Sequence, residues 1–317
     1  MEYRYLGRSG LQVSALGLGT NNFGGRTDME QSAKVVHQAL DIGVNFIDTA
    51  DGYGGGRSEE IIGATLEGHR HRAVLATKVG MISGKGVNER GASRAHIMQQ
   101  VETSLKKLRT DYIDLYQIHL PDPRTPIEET LRALDDLVRQ GKVRYIGCSN
   151  FSAWQTCEAA WTSRTQHLAP FVTTQMDYSL VNRQIERELV PFCQAYQVGI
   201  IPYFPLASGL LTGKYRAGEP PPAGTRFASQ DWFRGRQNQF LNERNFALVA
   251  RLEKFATEKG HTIGELAIAW LLGNPLVCSV IAGATKPEQV VANAKAVEWR
   301  LTPKDMEEVR ALIEEKG

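Results

Sequence analysis

Four side chains in this sequence form a chemically coherent set: Asp48, Tyr53, Lys78 and His119. A tyrosine phenol, with a reference pKa of about 10, is a poor acid near neutrality. A lysine ammonium close to it favours the phenolate and lowers that value. An aspartate paired with the lysine keeps it charged and in place. A histidine can orient a carbonyl oxygen or relay a proton. The set contains no activated nucleophile and no evident metal site. It suits reduction of a carbonyl, in which a hydride reaches carbon while the phenol protonates oxygen. Each residue alone reads as an ordinary loop or core residue; the chemistry depends on their meeting.

The elements that would bring them together are short apolar runs rich in β-branched residues. They occupy residues 13–20, 45–50, 73–79, 113–120, 143–149, 171–177, 199–206 and 277–283. Amphipathic stretches of helical period lie between them, the signature of βα units and a parallel sheet. Eight such runs are what a closed barrel requires. The near-continuous apolar character fits strands covered outside and packed inside. The fold class expected is therefore α/β, a (β/α)8 TIM barrel.

Helix starts are marked by capping residues. Thr125-Pro126-Ile127-Glu128 and Thr262-Ile263-Gly264-Glu265 read as capping boxes, and Asp28, Ser58, Ser93 and Ser152 as N-caps. Residues 3–6 and 12–13, joined through residues 7–10, predict a short N-terminal hairpin closing one end of the barrel. Residues 302–316 predict an extra C-terminal helix. No linker interrupts the pattern, so residues 1–317 are expected to form a single domain.

In a barrel of this type the chemistry sits where the strands end. The run ends carry Thr20 and Asn21, Asp48 to Tyr53, Lys78, His119, Ser149 and Asn150, Gln175, Tyr203 and then Gly283. Strands buried on both faces have no stability reason to end in polar groups. A ring of them at one mouth is better explained as a site.

Composition excludes several classes. With 37 Lys plus Arg against 35 Asp plus Glu, the net charge of +2 gives no argument for nucleic acid or a membrane surface. The four cysteines form no CxxC pair, which argues against a disulfide framework and for a reducing compartment. Residues 266–285 carry no charge, but Gly273-Asn274-Pro275 splits them into halves shorter than the ~20 residues a spanning helix needs. A buried helix followed by a buried strand is the expectation, and the cytoplasm is the default location.

The segment Asn45-Phe46-Ile47-Asp48-Thr49-Ala50-Asp51-Gly52-Tyr53-Gly54, followed by Ser58-Glu59-Glu60, resembles the signature of the aldo-keto reductases. The resemblance continues through Ala76-Thr77-Lys78-Val79, through residues 111–119 and 146–151, and through Gln175-Met176-Asp177-Tyr178. It runs on through residues 206–215 and closes with Gly283-Ala284-Thr285-Lys286-Pro287-Glu288-Gln289. Each match is weak, but the ordered set is specific. It implies a barrel that binds NADPH across its C-terminal mouth without a Rossmann domain, and the chain contains no GxGxxG. Its tetrad would be Asp48, Tyr53, Lys78 and His119, with Tyr53 the acid, Lys78 and Asp48 its tuners, and His119 orienting the substrate.

For the cofactor, the resemblance implies Ser149, Asn150 and Gln175 at the carboxamide, and Asp48, Gly19 and Thr20 by the nicotinamide. Tyr203 would stack on the ring. Pro205, Leu206, Ser208, Lys214 and Arg226 would follow the pyrophosphate, and Gly283, Thr285, Gln289 and Asn293 the adenosine end. Ala292 and Ala282 depart from the family pattern there, and Gln289 stands where some relatives have an arginine. Lys214, Arg226 and Lys286 near a helix start favour NADPH over NADH. Residues 214–239 read as an irregular lid, with Trp232 facing Tyr53 and Phe23 across a substrate pocket completed by His119. A glycosidase of the same fold is disfavoured, because only Asp48 supplies an obvious mouth carboxylate. A cofactor-sensing regulatory subunit remains as the alternative, because potassium-channel β subunits resemble the family and keep the tetrad.

Overall fold

The chain opens with an antiparallel hairpin, β1 (Tyr3–Tyr5) against β2 (Gln12–Ser14). The computed structural model describes residues 1–81, 84, 86–229 and 237–315. The barrel strands are β3 (Leu16–Gly19), β4 (Phe46–Asp48), β5 (Val74–Val79), β6 (Ile113–Ile118), β7 (Val143–Ser149), β8 (Phe171–Asp177), β9 (Gly199–Tyr203) and β10 (Val280–Gly283). They form one parallel sheet in the order β10-β3-β4-β5-β6-β7-β8-β9. The Ile200 N–H donates to the Leu276 carbonyl at 2.8 Å and the Cys278 N–H to the Ile200 carbonyl at 2.9 Å, which closes the circle. The expected (β/α)8 barrel is the observed fold.

Two apolar cores result. Phe46, Ala76, Leu115, Ile201 and Ile281 pack together inside the barrel with Leu6 and Val13 of the hairpin. A larger core lies between strands and helices. Side chains alternate along a strand, so the residue two positions on lies on the same face, nearer the mouth. Phe46 is followed in this way by Asp48, Ala76 by Lys78 and Leu115 by Gln117. One step of period two converts an apolar plug into a polar floor.

The hairpin closes the opposite end. Gly7, at φ 56°, lies so close to the Val172 carbonyl that a Cβ would have no room. Its N–H donates to Cys278 Sγ at 3.2 Å, and the Arg4 guanidinium donates to the Val277 and Leu272 carbonyls at 2.9 Å each. The expected run 13–20 is therefore two strands, because the chain leaves the hairpin at Ser14 before entering the barrel at Leu16.

Helices α1 (Met29–Asp41), α2 (Arg57–Thr65), α3 (Arg94–Leu108), α4 (Ile127–Arg139), α5 (Ala153–Thr165) and α6 (Leu189–Tyr196) cover the first strands. Then follow α7 (Glu243–Glu258), α8 (Ile263–Leu272), α9 (Pro287–Lys295) and α10 (Pro303–Glu314), the expected C-terminal helix. Asp28, Ser93 and Ser152 cap their helices, and Thr262 with Glu265 completes a capping box. Two caps differ from expectation. Pro126 holds the cap position of α4, because the Thr125 hydroxyl donates to Asp122 Oδ2 at 2.8 Å instead. Gly56, left-handed at φ 90°, holds that of α2, and Ser58 turns inward.

The connection after β9 is more ordered than its Pro and Gly content predicts. It contains helical turns at Arg226–Ser229 and Gln237–Phe240. Tyr215, Phe227 and Phe240 stack in a buried row, with centroids 5.3 and 5.7 Å apart, and anchor it. Trp232 lies outside the described residues. Among the described residues, no helix is long and apolar enough to cross a membrane.

Candidate active site

Asp48, Tyr53, Lys78 and His119 meet at the mouth. The fully buried Lys78 Nζ donates to Asp48 Oδ2 at 2.7 Å, to the Thr49 carbonyl at 2.7 Å and to Tyr53 Oη at 3.3 Å. These three bonds use all the donors of an ammonium. Tyr53 reaches its place on a turn, Tyr53–Gly56, in which Gly54 (φ 58°) and Gly55 (φ 67°) take left-handed backbone. A Cβ at Gly54 would come 2.5 Å from the Phe23 carbonyl. The Tyr53 ring meets His119 edge-on, with centroids 5.8 Å apart. Below them the hydroxyls of Thr20, Ser58 and Thr49 bond in series at 2.9 Å, tying β3 and α2 to the residue after Asp48.

The second Asp48 oxygen accepts from Gln175 Nε2 at 2.8 Å and Gln117 Nε2 at 3.4 Å. Gln175 thus spends one amide hydrogen on the tetrad and keeps its carbonyl side for another partner. Asn150, held left-handed at φ 63°, donates from Nδ2 to the His119 carbonyl at 2.9 Å and to Ser149 Oγ at 3.0 Å. Its Oδ1 accepts the Tyr203 hydroxyl at 2.7 Å, which fixes that ring at the end of β9.

Burial governs the titration of the set. It pushes the Tyr53 phenol above its ordinary value; Lys78 pulls the other way, with less effect. The sequence expectation that Lys78 makes Tyr53 a stronger acid is corrected here, because desolvation of a phenolate outweighs one ammonium. Burial alone would lower Lys78, but Asp48 and Tyr53 more than offset it and hold the ammonium charged. Burial, with Lys78 second, pushes His119 down to about 3, so its ring is neutral around neutral pH. His119 Nδ1 is buried without a hydrogen-bond partner among the described residues.

Beyond Tyr203 the chain takes left-handed backbone at Phe204, Ala207, Ser208, Gly209 and Gly213. The run presents a buried Ser208 hydroxyl with no hydrogen-bond partner among the described residues. Lys214 lies against Gly209, and Arg226 donates to Asn21 Oδ1 at 3.3 Å. Burial, with Arg226 and Arg26 adding repulsion, lowers Lys214. Burial and then Arg26 push Arg226 down to about 10. Gathered cations that repel one another are stabilised by an anion. A Cβ on Gly283 would lie 3.3 Å from Arg226 Nη2, so the end of β10 borders the same cleft. Gln289 Oε1 accepts from the Thr285 N–H at 2.7 Å, at the start of α9.

Two expected site residues sit differently. Phe23 is wholly buried in the outer core and offers no surface to a substrate. Arg26, which no motif marked, donates to the Gly224 carbonyl at 2.6 Å. Its only sequence signal was a cation in the loop after the first barrel strand.

A family profile described as "Aldo/keto reductase family" matches residues 15–314. The chain is 39% identical to a "Probable voltage-gated potassium channel subunit beta" of Oryza sativa subsp. japonica, over 100% of this chain and 98% of that one. It is 36% identical to "Aldo-keto reductase YhdN" of Bacillus subtilis, over 99% and 94% of the two chains. An "Uncharacterized oxidoreductase YrpG" of the same organism is 40% identical, over 95% and 92%.

Proposed function

Because the chain belongs to the aldo/keto reductase family, we propose that it reduces aldehydes or ketones to alcohols with NADPH, using Tyr53 as general acid. The carrying observation is the buried Lys78 ammonium, bonded at once to Asp48 and to the Tyr53 hydroxyl. A carbonyl oxygen set between Tyr53 and the neutral ring of His119 accepts a hydrogen bond from each. Tyr53 keeps its proton while unengaged, since burial disfavours its phenolate. It gives the proton up as negative charge grows on the substrate oxygen. Lys78 then stabilises the phenolate through the bond it already makes, and Asp48 holds Lys78 in place.

NADPH, when bound, supplies the hydride. The orphaned Ser208 hydroxyl and the crowded cations Lys214, Arg226 and Arg26 fit its phosphates. Pro205 and Leu206 would line that stretch. Ser149, Asn150 and Gln175 would hold the carboxamide, Tyr203 the ring face, and Gly19, Thr20 and Asp48 the nicotinamide end. Gly283, Thr285, Gln289 and Asn293 would take the adenosine end, with Lys286 adding charge at the start of α9. The proposal extends to a single domain over residues 1–317 and to the cytoplasm, supported by four unbridged cysteines.

The test is turnover of simple aldehydes with NADPH and NADH in parallel, with cofactor binding followed by intrinsic fluorescence. Consumption of NADPH with weaker binding of NADH supports the proposal; equal affinities remove the cofactor assignment. The likeness to potassium channel β subunits favours one second reading, a cofactor-sensing subunit. NADPH binding without turnover of any carbonyl would select it.

A further inference from the structure

A second ionisable cluster adjoins the tetrad. Asp51 follows Asp48 by three residues, and its backbone N–H donates to the Lys78 carbonyl at 3.3 Å. Its side chain is 3% exposed, and neither carboxyl oxygen has a hydrogen-bond partner among the described residues. Glu59, on α2, is 0% exposed; one oxygen accepts from Thr77 Oγ1 at 2.7 Å and the other has no partner among the described residues. The Tyr116 hydroxyl, from β6, is likewise buried and unpartnered among the described residues.

Two carboxylates buried this poorly solvated cannot both ionise cheaply. Lys78 does not relieve them, because its three donors serve Asp48, Thr49 and Tyr53. Lys107, half-buried on α3, supplies partial compensation. We propose that Asp51 and Glu59 share one proton, and that loss of this proton sets how readily Tyr53 gives up its own. This rests on reading Tyr53 as the acid.

The groups acting on Asp51 are Glu59 from α2, Lys78 from β5 and Lys107 from α3, with Tyr53 and Tyr116 feeling its charge in turn. Burial first and Glu59 second push Asp51 up to about 7, against the pull of the Gly52 N–H and both lysines. Burial pushes Glu59 up as well. With its proton the pair carries one negative charge. Release of the proton to solvent places a second beside Tyr53, where it opposes the phenolate. Tyr53 is then a weaker acid on the alkaline side of neutrality, and Asp51 acts as a positioning residue for charge rather than a donor to substrate.

The test uses the full chain with two readouts that need no turnover. Infrared spectroscopy should detect a protonated carboxyl that disappears as pH rises through about 7. The band should be missing in Asp51→Asn and should disappear at lower pH in Glu59→Gln. Ultraviolet titration of Tyr53, taken as the difference from a matched Tyr53→Phe protein, should move down in Asp51→Asn by on the order of one pH unit. That is the effect of one charge a few ångströms away at an effective dielectric of about 20. No protonated band on the acid side of neutrality overturns the shared proton. A Tyr53 titration unmoved in Asp51→Asn overturns the coupling. A chain that reduces no carbonyl would instead remove the proposed function and leave both readouts valid.

Discussion

Arg26 donates to the carbonyl oxygen of Gly224 at 2.6 Å, so the loop after the first barrel strand grips the long connection after the seventh. That connection carries Lys214 and Arg226 towards the cleft bordered by Gly283.

Arg26→Ala should therefore loosen the connection and weaken NADPH binding about tenfold, the worth of one charged hydrogen bond of about 1.5 kcal/mol. Hydrogen exchange across residues 214–229 should be faster in the variant, and NADPH should slow it in the parent protein. Protection indifferent to saturating NADPH would dismiss the connection as a lid.

Tyr53→Phe should lower carbonyl reduction by at least ~10² to 10⁴-fold, the usual range for a general acid, while NADPH affinity stays within about twofold. Steady-state rates beside fluorescence titration would decide it. Full turnover in the variant would move the acid elsewhere, with His119 examined first.

Removal of one member of the buried Lys78–Asp48 pair leaves the other charged and unpaired. Lys78→Met should destabilise the fold by about 3–5 kcal/mol, and Lys78→Met with Asp48→Asn by less, because no charge is then stranded. Denaturant titration of the three proteins checks this; a double variant weaker than the single would contradict it.

The stability of the protein should depend on pH through Asp51. Its folded value of about 7 lies above the ordinary 3.8, so the folded chain keeps a proton that the unfolded chain releases. The stability this contributes is full below about 4 and is lost as pH rises through about 7. Asp51→Asn should melt like the parent protein near the lower value. On the alkaline side it should be more stable, by on the order of 2–4 kcal/mol. Melting curves that stay parallel across this range would refute the assignment.

The barrel and its tetrad were legible because both are written in period two. Apolar runs announced the strands, and polar groups at their ends announced the mouth. The inner-face step from Phe46 to Asp48 and from Ala76 to Lys78 carries both messages at once. What escaped the sequence depended on the third dimension. Ser58 has the chemistry of a cap, yet a left-handed Gly56 starts the helix earlier and turns its hydroxyl inward. The sign of the Tyr53 shift needed the degree of burial, which residue types do not give. Arg26 sits in a loop with no periodicity to read, and Asp51 lay inside a matched motif whose spacing says nothing of its isolation from donors.

The hairpin wedged at Gly7 leaves the molecule with two unlike poles. Tyr53 and its neighbours open at one, and Met1, 41% exposed, lies with the stopper at the other. A fusion partner, an affinity handle or a tether to a solid support can therefore be joined ahead of Met1 with the chemistry facing outward. Trimming the chain back past Ser14 would instead uncork the barrel floor, where Leu6 and Val13 are part of the inner packing.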